Sequence, residues 1–128
     1  MTDAAYWTLP ALADYYLEDS WVLDVTARPG ALVLRLDFVL LESHRAFTAP
    51  LPGEQYCYRS GVLRFPNVRR LTWSDQGRPP ARDATGEIDY GSVDTLLIGD
   101  DRHSLVGDFG NIEVSSAAPV VELDDERR

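Results

Sequence analysis

Two runs of alternating apolar and polar residues, separated by a Pro-Gly pair, constrain the fold of this chain more than any other feature of its sequence. In the second run, alternate positions carry large apolar side chains: Leu32, Leu34, Leu36, Phe38 and Leu40. The first run, residues 21–28, has the same period, with these residues in phase: Trp21, Leu23, Val25 and Ala27. Alternation is the period of a half-buried strand, and Pro29-Gly30 supplies a tight turn. The two runs therefore predict a β-hairpin with one face against a core.

Short strands joined by turn residues account for most of the remaining sequence. We predict strands over these segments: 55–65 as a hairpin that turns at Ser60-Gly61, 68–73, 87–98 with an irregularity at Gly91, 103–109, 112–116 after a turn at Gly110-Asn111, and 120–123. One short helix is expected over residues 8–14, because Thr8 can cap it and Pro10 is tolerated in a first helical turn. About eight short strands with so little helix predict an all-β fold, either a single antiparallel β-sandwich or a partly open barrel.

Length and cysteine content bound the domain organisation and the compartment. The 128 residues suit one domain, 1–128, whose charged tail is expected to fray from about residue 124. The first ten residues contain no basic segment, and the longest apolar run, residues 38–41, is too short for a membrane span. We therefore expect neither a secretory signal nor a membrane helix. Cys57 is the only cysteine, which excludes an intrachain disulfide and favours a reducing, cytoplasmic compartment.

The charged residues are unusual in type and in distribution. All 12 basic residues are arginine and the net charge is −9. Without lysine, the chain cannot form a Schiff base, attach pyridoxal phosphate or build a Walker-A phosphate clamp. Residues 59–82 carry six arginines and one acid, whereas residues 83–128 carry twelve acids and three arginines. A strongly acidic protein repels nucleic acid and anionic membranes, and it attracts a basic protein.

The acidic C-terminal half contains the leading candidate for a binding surface. We expect the following carboxylates to steer a basic partner: Asp83, Glu87, Asp89, Asp94, Asp100 and Asp101. The segment 83–94 also has the composition of a calcium loop without the spacing of an EF-hand, so calcium binding stays open. Simple solubility is the other explanation of this charge.

An arginine-rich and aromatic pocket is the alternative candidate. Arginines in residues 59–82 suit an anionic small molecule, and aromatic residues before the first clear strand suit contacts with a ligand or partner. The residues of this hypothesis are Arg59, Arg64, Arg69, Arg70, Trp7 and Tyr15. The chain would then be a carrier or a small enzyme. Trp21 and Trp73 are in phase with aliphatic neighbours, so we expect both in the core.

No arrangement of nucleophile, base or metal ligands stands out in the sequence. His44, His103 and Cys57 are far apart, whereas zinc ligands commonly follow one another at short spacing. The G-x-S-x-G elbow of serine hydrolases is absent. We therefore expect a non-enzymatic chain with no cofactor and no metal. A homodimer formed through an exposed strand edge is a further alternative.

Three segments resemble small bacterial all-β families. They are residues 15–25 (YYLEDSWVLDV), residues 63–73 (LRFPNVRRLTW) and residues 105–114 (LVGDFGNIEV). Many of these families have no assigned function, and some are grouped with the immunity proteins of polymorphic toxins. The resemblance implies an all-β cytosolic domain and an immunity-like protein-binding role. These segments resemble structural motifs, so the resemblance assigns no catalytic residue.

Overall fold

The chain folds into two antiparallel β-sheets that pack face to face, as the computed structural model shows for residues 4–75, 81–82 and 88–124. The strands are β1 (Ala4–Ala5), β2 (Tyr15–Arg28), β3 (Ala31–Leu40), β4 (Cys57–Pro66), β5 (Arg70–Ser74), β6 (Ala81–Arg82), β7 (Ile88–Asp89), β8 (Val93–Ile98), β9 (Arg102–Gly107), β10 (Gly110–Ser115) and β11 (Val120–Leu123). One sheet has the order β1-β8-β9-β10-β5 and the other β11-β4-β3-β2, while β6 and β7 form a separate pair. The sheets do not close into a barrel, so the all-β prediction is confirmed in its sandwich form.

The core lies between the two sheets and follows the alternation of the sequence. All five apolar residues predicted to share one face of β3 are buried. From the facing strands, Leu105 in β9 and both Ile112 and Val114 in β10 are fully buried against them. Burying a side chain of this size contributes roughly 1.5–3 kcal/mol, so the two inner faces supply the main force that holds the sheets together.

The first hairpin is confirmed, but β2 does not keep a regular period. Arg28 pairs with Ala31 across the turn, where Gly30 has φ 82°. The pairing of β2 with β3 shifts twice along β2, first between Tyr16 and Trp21 and again between Val22 and Asp24. Each shift inserts residues that have no partner in β3, which changes the side of the sheet that later residues face.

The prediction that Trp21 lies in the core is wrong, because of the second shift. The extra residue, Leu23, puts Trp21 out of phase with Val25. Val25 therefore pairs with the buried Leu34 and packs on the core, whereas Trp21 lies on the outer face and is 45% exposed. Trp73 does pack against the core, where its ring N–H donates to the Phe109 carbonyl at 2.9 Å.

The segment before β2 contains less helix than the sequence predicts. Tyr6–Thr8 form a single 3-10 turn, and the predicted helix over residues 8–14 is wrong. Reverse turns take its place, with the Leu12 N–H bonded to the Leu9 carbonyl at 2.9 Å. Leu12 is fully buried, so packing of this side chain on the core fixes the segment in a non-helical path.

The predicted turn at Ser60-Gly61 is also wrong, because β4 runs through these residues without a break. Gly61 pairs with Leu36 on one side and Leu123 on the other. A Cβ atom added to Gly61 would lie 2.5 Å from the Glu122 carbonyl oxygen. The glycine therefore permits the close approach of β11. A glycine within a strand pattern can thus mark a close backbone contact instead of a turn.

The remaining boundaries are close to expectation. The irregularity predicted at Gly91 is confirmed, since φ there is 72° and the chain leaves β7 before it enters β8. The turn between β9 and β10 falls at residues 108–109, ahead of the predicted Gly110-Asn111, because Gly110 already pairs with Gly107. Asp124 bonds to the Ser60 carbonyl and pairs with Arg35, so the chain is still tied to the sheet at this residue. Among the described residues, no helix has the length and apolar character needed to cross a bilayer.

Candidate functional site

A cleft of about 180 Å³ opens on the outer face of the four-stranded sheet. Its lining combines acidic, aromatic and polar side chains: Glu18, Asp19, Trp21, Gln55, Tyr56, Tyr58 and Ser92. Trp21 pairs with Asp37 and Tyr58 with Val39, positions that alternate with the core residues Leu36, Phe38 and Leu40 of β3. The cleft therefore lies on the side of the sheet away from the core.

The irregular part of β2 shapes one wall of this cleft. Between Tyr16 and Trp21 the strand has more residues than the part of β3 that it faces. Ser20 is fully buried within this bulge, where its hydroxyl oxygen accepts a hydrogen bond from the Val39 N–H at 2.9 Å. The same hydroxyl donates to the Tyr16 carbonyl at 2.8 Å. A buried side chain thus replaces a backbone contact of the ladder and fixes the path of the bulge.

The bulge brings two consecutive carboxylates to the same site. Neighbouring residues of a regular strand point to opposite faces of the sheet. Glu18 and Asp19 nevertheless both line the cleft, because the bulge interrupts the alternation at these positions. The local departure from strand geometry is therefore what concentrates negative charge here.

Aromatic rings form another part of the wall. The Tyr56 ring stands edge-to-face against the rings of Tyr16 and Tyr58, with both pairs of centroids 6.1 Å apart and interplanar angles of 83° and 84°. Edge-to-face packing is a favoured arrangement that fixes ring orientation. Tyr16 and Trp21 remain exposed. The site therefore offers aromatic surface to a bound group.

Two tyrosine hydroxyls orient the carboxylates. The Tyr56 hydroxyl donates to Asp19 Oδ2 and the Tyr6 hydroxyl donates to Glu18 Oε1, each at 2.5 Å. The hydrogen bond to Asp19 is the main reason that the pKa of Tyr56 is raised to about 12. Burial, followed by the bond to Glu18, raises the pKa of Tyr6. Both phenols are therefore protonated donors at neutral pH.

Each carboxylate keeps one oxygen for a further contact. Glu18 Oε2 and Asp19 Oδ1 accept no hydrogen bond from any described residue. None of the described residues that line the cleft is basic. Carboxylates beside exposed aromatic faces attract a cation through charge-assisted hydrogen bonds and cation–π contacts. The arrangement is therefore suited to hold a positively charged group.

The acidic residues predicted from the sequence do not line this cleft. Asp83 and Glu87 lie outside the described residues, and Asp89 lies in β7. Asp94 is exposed near the start of β8, and Asp100 and Asp101 are exposed in the turn after that strand. Because an extended strand rises ~3.3 Å per residue, Asp94 and Asp100 are separated by roughly 20 Å. Asp101 also lies 3.6 Å from the Arg69 guanidinium. The described members of the set are thus spread over β7, β8 and the turn after β8.

The predicted arginine and aromatic residues are dispersed over both sheets. Arg59 donates to the Asp124 carbonyl at 3.0 Å, Arg64 pairs with Glu122, and Arg69 is near Asp101. The other members differ in burial: Arg70 is exposed in β5, Trp7 is 55% exposed beside β1, and Tyr15 is buried against Phe38 and His44. Tyr15 therefore packs as a core residue.

A second groove, of about 250 Å³, lies on the outer face of the five-stranded sheet. Its described lining comprises Arg70, Thr72, Arg102, Glu113 and Ser115. Arg102 pairs with Glu113 at 2.7 Å, which neutralises part of the positive charge. On a protein with net charge −9, one further exposed arginine gives weak attraction for an anion.

The histidines and the cysteine contact different neighbours. His44 contacts the Tyr15 hydroxyl at 2.8 Å, Cys57 is buried beside Thr48, and His103 is buried against the Phe65 ring. Among the residues that the structure describes, no three of the types His, Cys, Asp and Glu are grouped to hold a metal ion. The calcium hypothesis involves Asp83 and Glu87, which are not described.

Glu18 and Asp19 are not among the site residues predicted from the sequence. The available signal was the pair of adjacent acids within a segment that otherwise reads as a strand, flanked by Tyr16 and Trp21. Comparison with family models, with curated proteins and with solved structures found no match.

Proposed function

We propose that this chain is a non-enzymatic protein-binding domain for a basic partner, anchored at the acidic and aromatic cleft. The observation that carries the proposal is the placement of Glu18 and Asp19 beside exposed Trp21 with no basic residue in the described lining. Interface anchors are commonly aromatic side chains near a small number of charged groups. The cleft supplies both in one place.

The net charge supports the choice of a basic partner. At −9, the chain attracts a basic protein over roughly 8–10 Å at physiological ionic strength and repels nucleic acid. Asp94, Asp100 and Asp101 are exposed and lie outside the cleft, so we assign them to long-range steering. Steering charges raise the association rate, whereas charges in the desolvated centre of an interface mainly set the dissociation rate.

The size of the cleft favours a protein partner over a free ligand. A volume of about 180 Å³ is smaller than the roughly 300–1,000 Å³ of pockets that enclose drug-sized molecules. One side chain presented by another protein fits this scale. A second copy of the same chain would bring another net charge of −9, which disfavours self-association at this face.

Residues 15–25 resemble small bacterial families, some of which are grouped with immunity proteins, so a basic toxin is one class of partner for this proposal. Glu18 and Asp19 belong to that segment. An immunity role requires tight and specific inhibition, and a central cleft that holds one basic residue of the toxin would supply such an anchor. A cytoplasmic location is part of the same proposal.

Differential capture from an extract of the source cell tests the proposal. The full chain, Asp19→Asn and the matched control Glu42→Gln are immobilised, since Glu42 is exposed in the loop after β3 and does not line the cleft. We expect the same basic protein on the wild type and on Glu42→Gln, with strong loss on Asp19→Asn. Capture that is equal on all three proteins, or capture of acidic proteins only, would contradict the proposal.

A further inference from the structure

We infer that the cleft is a receptor for a single arginine side chain, held by Glu18 and Asp19 against Trp21. This inference rests on the proposed function, because it names the group of the basic partner that enters the cleft. Three cations are the candidates: the planar guanidinium of arginine, the ammonium of lysine and a methylated ammonium. The hydrogen-bonding and aromatic groups of the lining distinguish between them.

The unoccupied acceptor positions match a planar donor with several N–H groups. Glu18 Oε2 and Asp19 Oδ1 accept no hydrogen bond from a described residue, and the lining adds the oxygens of Gln55 and Ser92. A guanidinium carries five N–H donors in a fixed plane, so it can bond to several of these oxygens at once. A trimethylated ammonium has no N–H and would leave both carboxylate oxygens without a partner.

The aromatic wall also favours a guanidinium over a lysine ammonium. Trp21 is 45% exposed at the cleft, which leaves indole surface for stacking. A guanidinium is planar and weakly hydrated, so it can stack on a ring while its edge bonds to carboxylates. An ammonium is compact and strongly hydrated, and it loses more solvation when it enters the same site.

The tyrosines restrict how the carboxylates can respond. Tyr56 and Tyr6 each hold one oxygen of Asp19 and Glu18 at 2.5 Å, so the carboxylates do not need to reorganise when a cation binds. The buried Ser20 hydroxyl accepts the Val39 N–H and so holds the bulge in place. Preorganised acceptors lower the entropy that must be lost on binding, which allows geometry to discriminate between two cations of equal charge.

Titration with single-residue probes tests this inference by NMR on the full chain. The probe is Nα-acetyl-arginine amide, compared with the corresponding lysine and citrulline derivatives and with tetramethylammonium. We expect saturable shifts at the Trp21 indole N–H and at the amides of residues 18–21, with a dissociation constant on the order of millimolar. Arginine should bind at least about fivefold more tightly than lysine or tetramethylammonium, and uncharged citrulline should not saturate.

Variants identify the residues that respond. Asp19→Asn and Glu18→Gln should each weaken arginine binding by about tenfold, whereas Glu42→Gln should leave the binding unchanged. The Trp21 signal is assigned with Trp21→Phe, since Trp21 lines the cleft and Trp7 and Trp73 do not. The use of two independent carboxylate variants keeps the test decisive if one of them does not fold.

The outcomes separate this inference from the proposed function. Equal binding of arginine and lysine, tighter binding of tetramethylammonium, or shifts confined to residues 94–101 would overturn the arginine assignment. Asp19-dependent capture of a basic protein together with no arginine preference would leave the function standing and reject the inference. Selective arginine binding with no captured basic protein would support the inference and reject the function.

Discussion

Ser20 replaces the main chain of its own strand as the hydrogen-bond partner of Val39. Its hydroxyl accepts the Val39 N–H at 2.9 Å and donates to the Tyr16 carbonyl, while Ser20 itself is fully buried. The hydroxyl therefore stabilises the bulge that brings Glu18 and Asp19 to one side of the sheet. A buried backbone donor, a strand irregularity and the candidate site depend on the same side chain.

Replacing Ser20 by alanine tests this role. The Ser20→Ala variant leaves the Val39 N–H without its partner in a buried position, so we expect a loss of roughly 1–3 kcal/mol in the free energy of unfolding. Urea unfolding measures it. The matched control is Thr26→Ala, which removes an exposed hydroxyl bonded to Asp24 at 3.0 Å and should cost less than about 0.5 kcal/mol. Equal costs for the two variants would contradict the role given to Ser20.

Gly61 is expected to be intolerant of a side chain. The Gly61→Ala substitution places a Cβ 2.5 Å from the Glu122 carbonyl oxygen and 2.8 Å from the Leu123 Cα, so β11 must move. We expect a loss of roughly 1–3 kcal/mol and faster amide exchange in β11. The neighbouring Ser60→Ala variant is the control. If both variants behave alike and exchange in β11 is unchanged, the close approach of β4 and β11 is wrong.

His44 should make stability depend on pH. Its Nδ1 accepts the Ala46 N–H at 2.9 Å and its Nε2 contacts the Tyr15 hydroxyl at 2.8 Å, which suits a neutral ring. Burial is the main reason that the pKa of His44 is lowered. Among the charges near the ring, Asp14 opposes this effect and Arg59 and Arg45 add to it.

The sign follows from proton uptake. Because the folded pKa of His44 lies below its ordinary value of about 6.5, the unfolded chain binds the proton first as the pH falls. The contribution of His44 is complete above that value and is lost as the pH falls from it toward the folded pKa. We expect the stability difference between the wild type and His44→Gln to shrink from pH 8 to pH 5 in urea unfolding. A difference that stays constant or grows would contradict the lowered pKa.

His103 is predicted to cost stability. It is 1% exposed, its ring lies 5.8 Å from that of Phe65, and neither ring nitrogen has a hydrogen-bond partner among the described residues. An unsatisfied buried polar group costs about 1–3 kcal/mol, so His103→Leu should unfold at a higher urea concentration than the wild type. The control is Leu105→Ala in the same strand, which should destabilise by about 2–5 kcal/mol. Destabilisation by His103→Leu would show that the imidazole makes a favourable polar contact.

The two groups of acids should affect different rate constants for the basic partner. The double variant Asp94→Asn with Asp100→Asn should lower the association rate and its salt dependence while the dissociation rate stays nearly constant. Asp19→Asn should instead raise the dissociation rate. Surface-based kinetics at two salt concentrations measures both constants. A faster dissociation for the double variant, with no effect of Asp19→Asn, would move the anchor from the cleft to β8.

The success of the sequence analysis depended on whether the period of a strand is unbroken. In β3, five apolar residues alternate without interruption, and all of them are buried as predicted. In β2, the extra Leu23 reverses the phase, so the prediction that Trp21 lies in the core is wrong. Periodicity predicts which side chains of a regular strand share a face. It does not reveal a bulge, where one strand has an extra residue without a partner on the neighbouring strand. The same limit applies to Gly61. A glycine is needed there because β11, a strand more than 50 residues later in the chain, approaches closely.

The candidate site is harder to predict from the sequence than the fold, because it forms between segments that are distant along the chain. Glu18 and Asp19 come from the bulge of β2, Tyr56 from the residue before β4, Tyr58 from β4 itself and Ser92 from the segment before β8. The number of acidic residues between positions 83 and 101 led to a binding surface being predicted there. The position of a carboxylate beside exposed aromatic rings depends on the pairing of strands, which composition does not contain.

The most direct test of the central claim is the titration of the wild-type chain with Nα-acetyl-arginine amide and its uncharged citrulline analogue, followed at the Trp21 indole N–H. The cleft as a cation site predicts a saturable shift with arginine that reaches the amides of residues 18–21, and no saturation with citrulline. Equal responses to the two probes, or no response at Trp21 and residues 18–21, would contradict it.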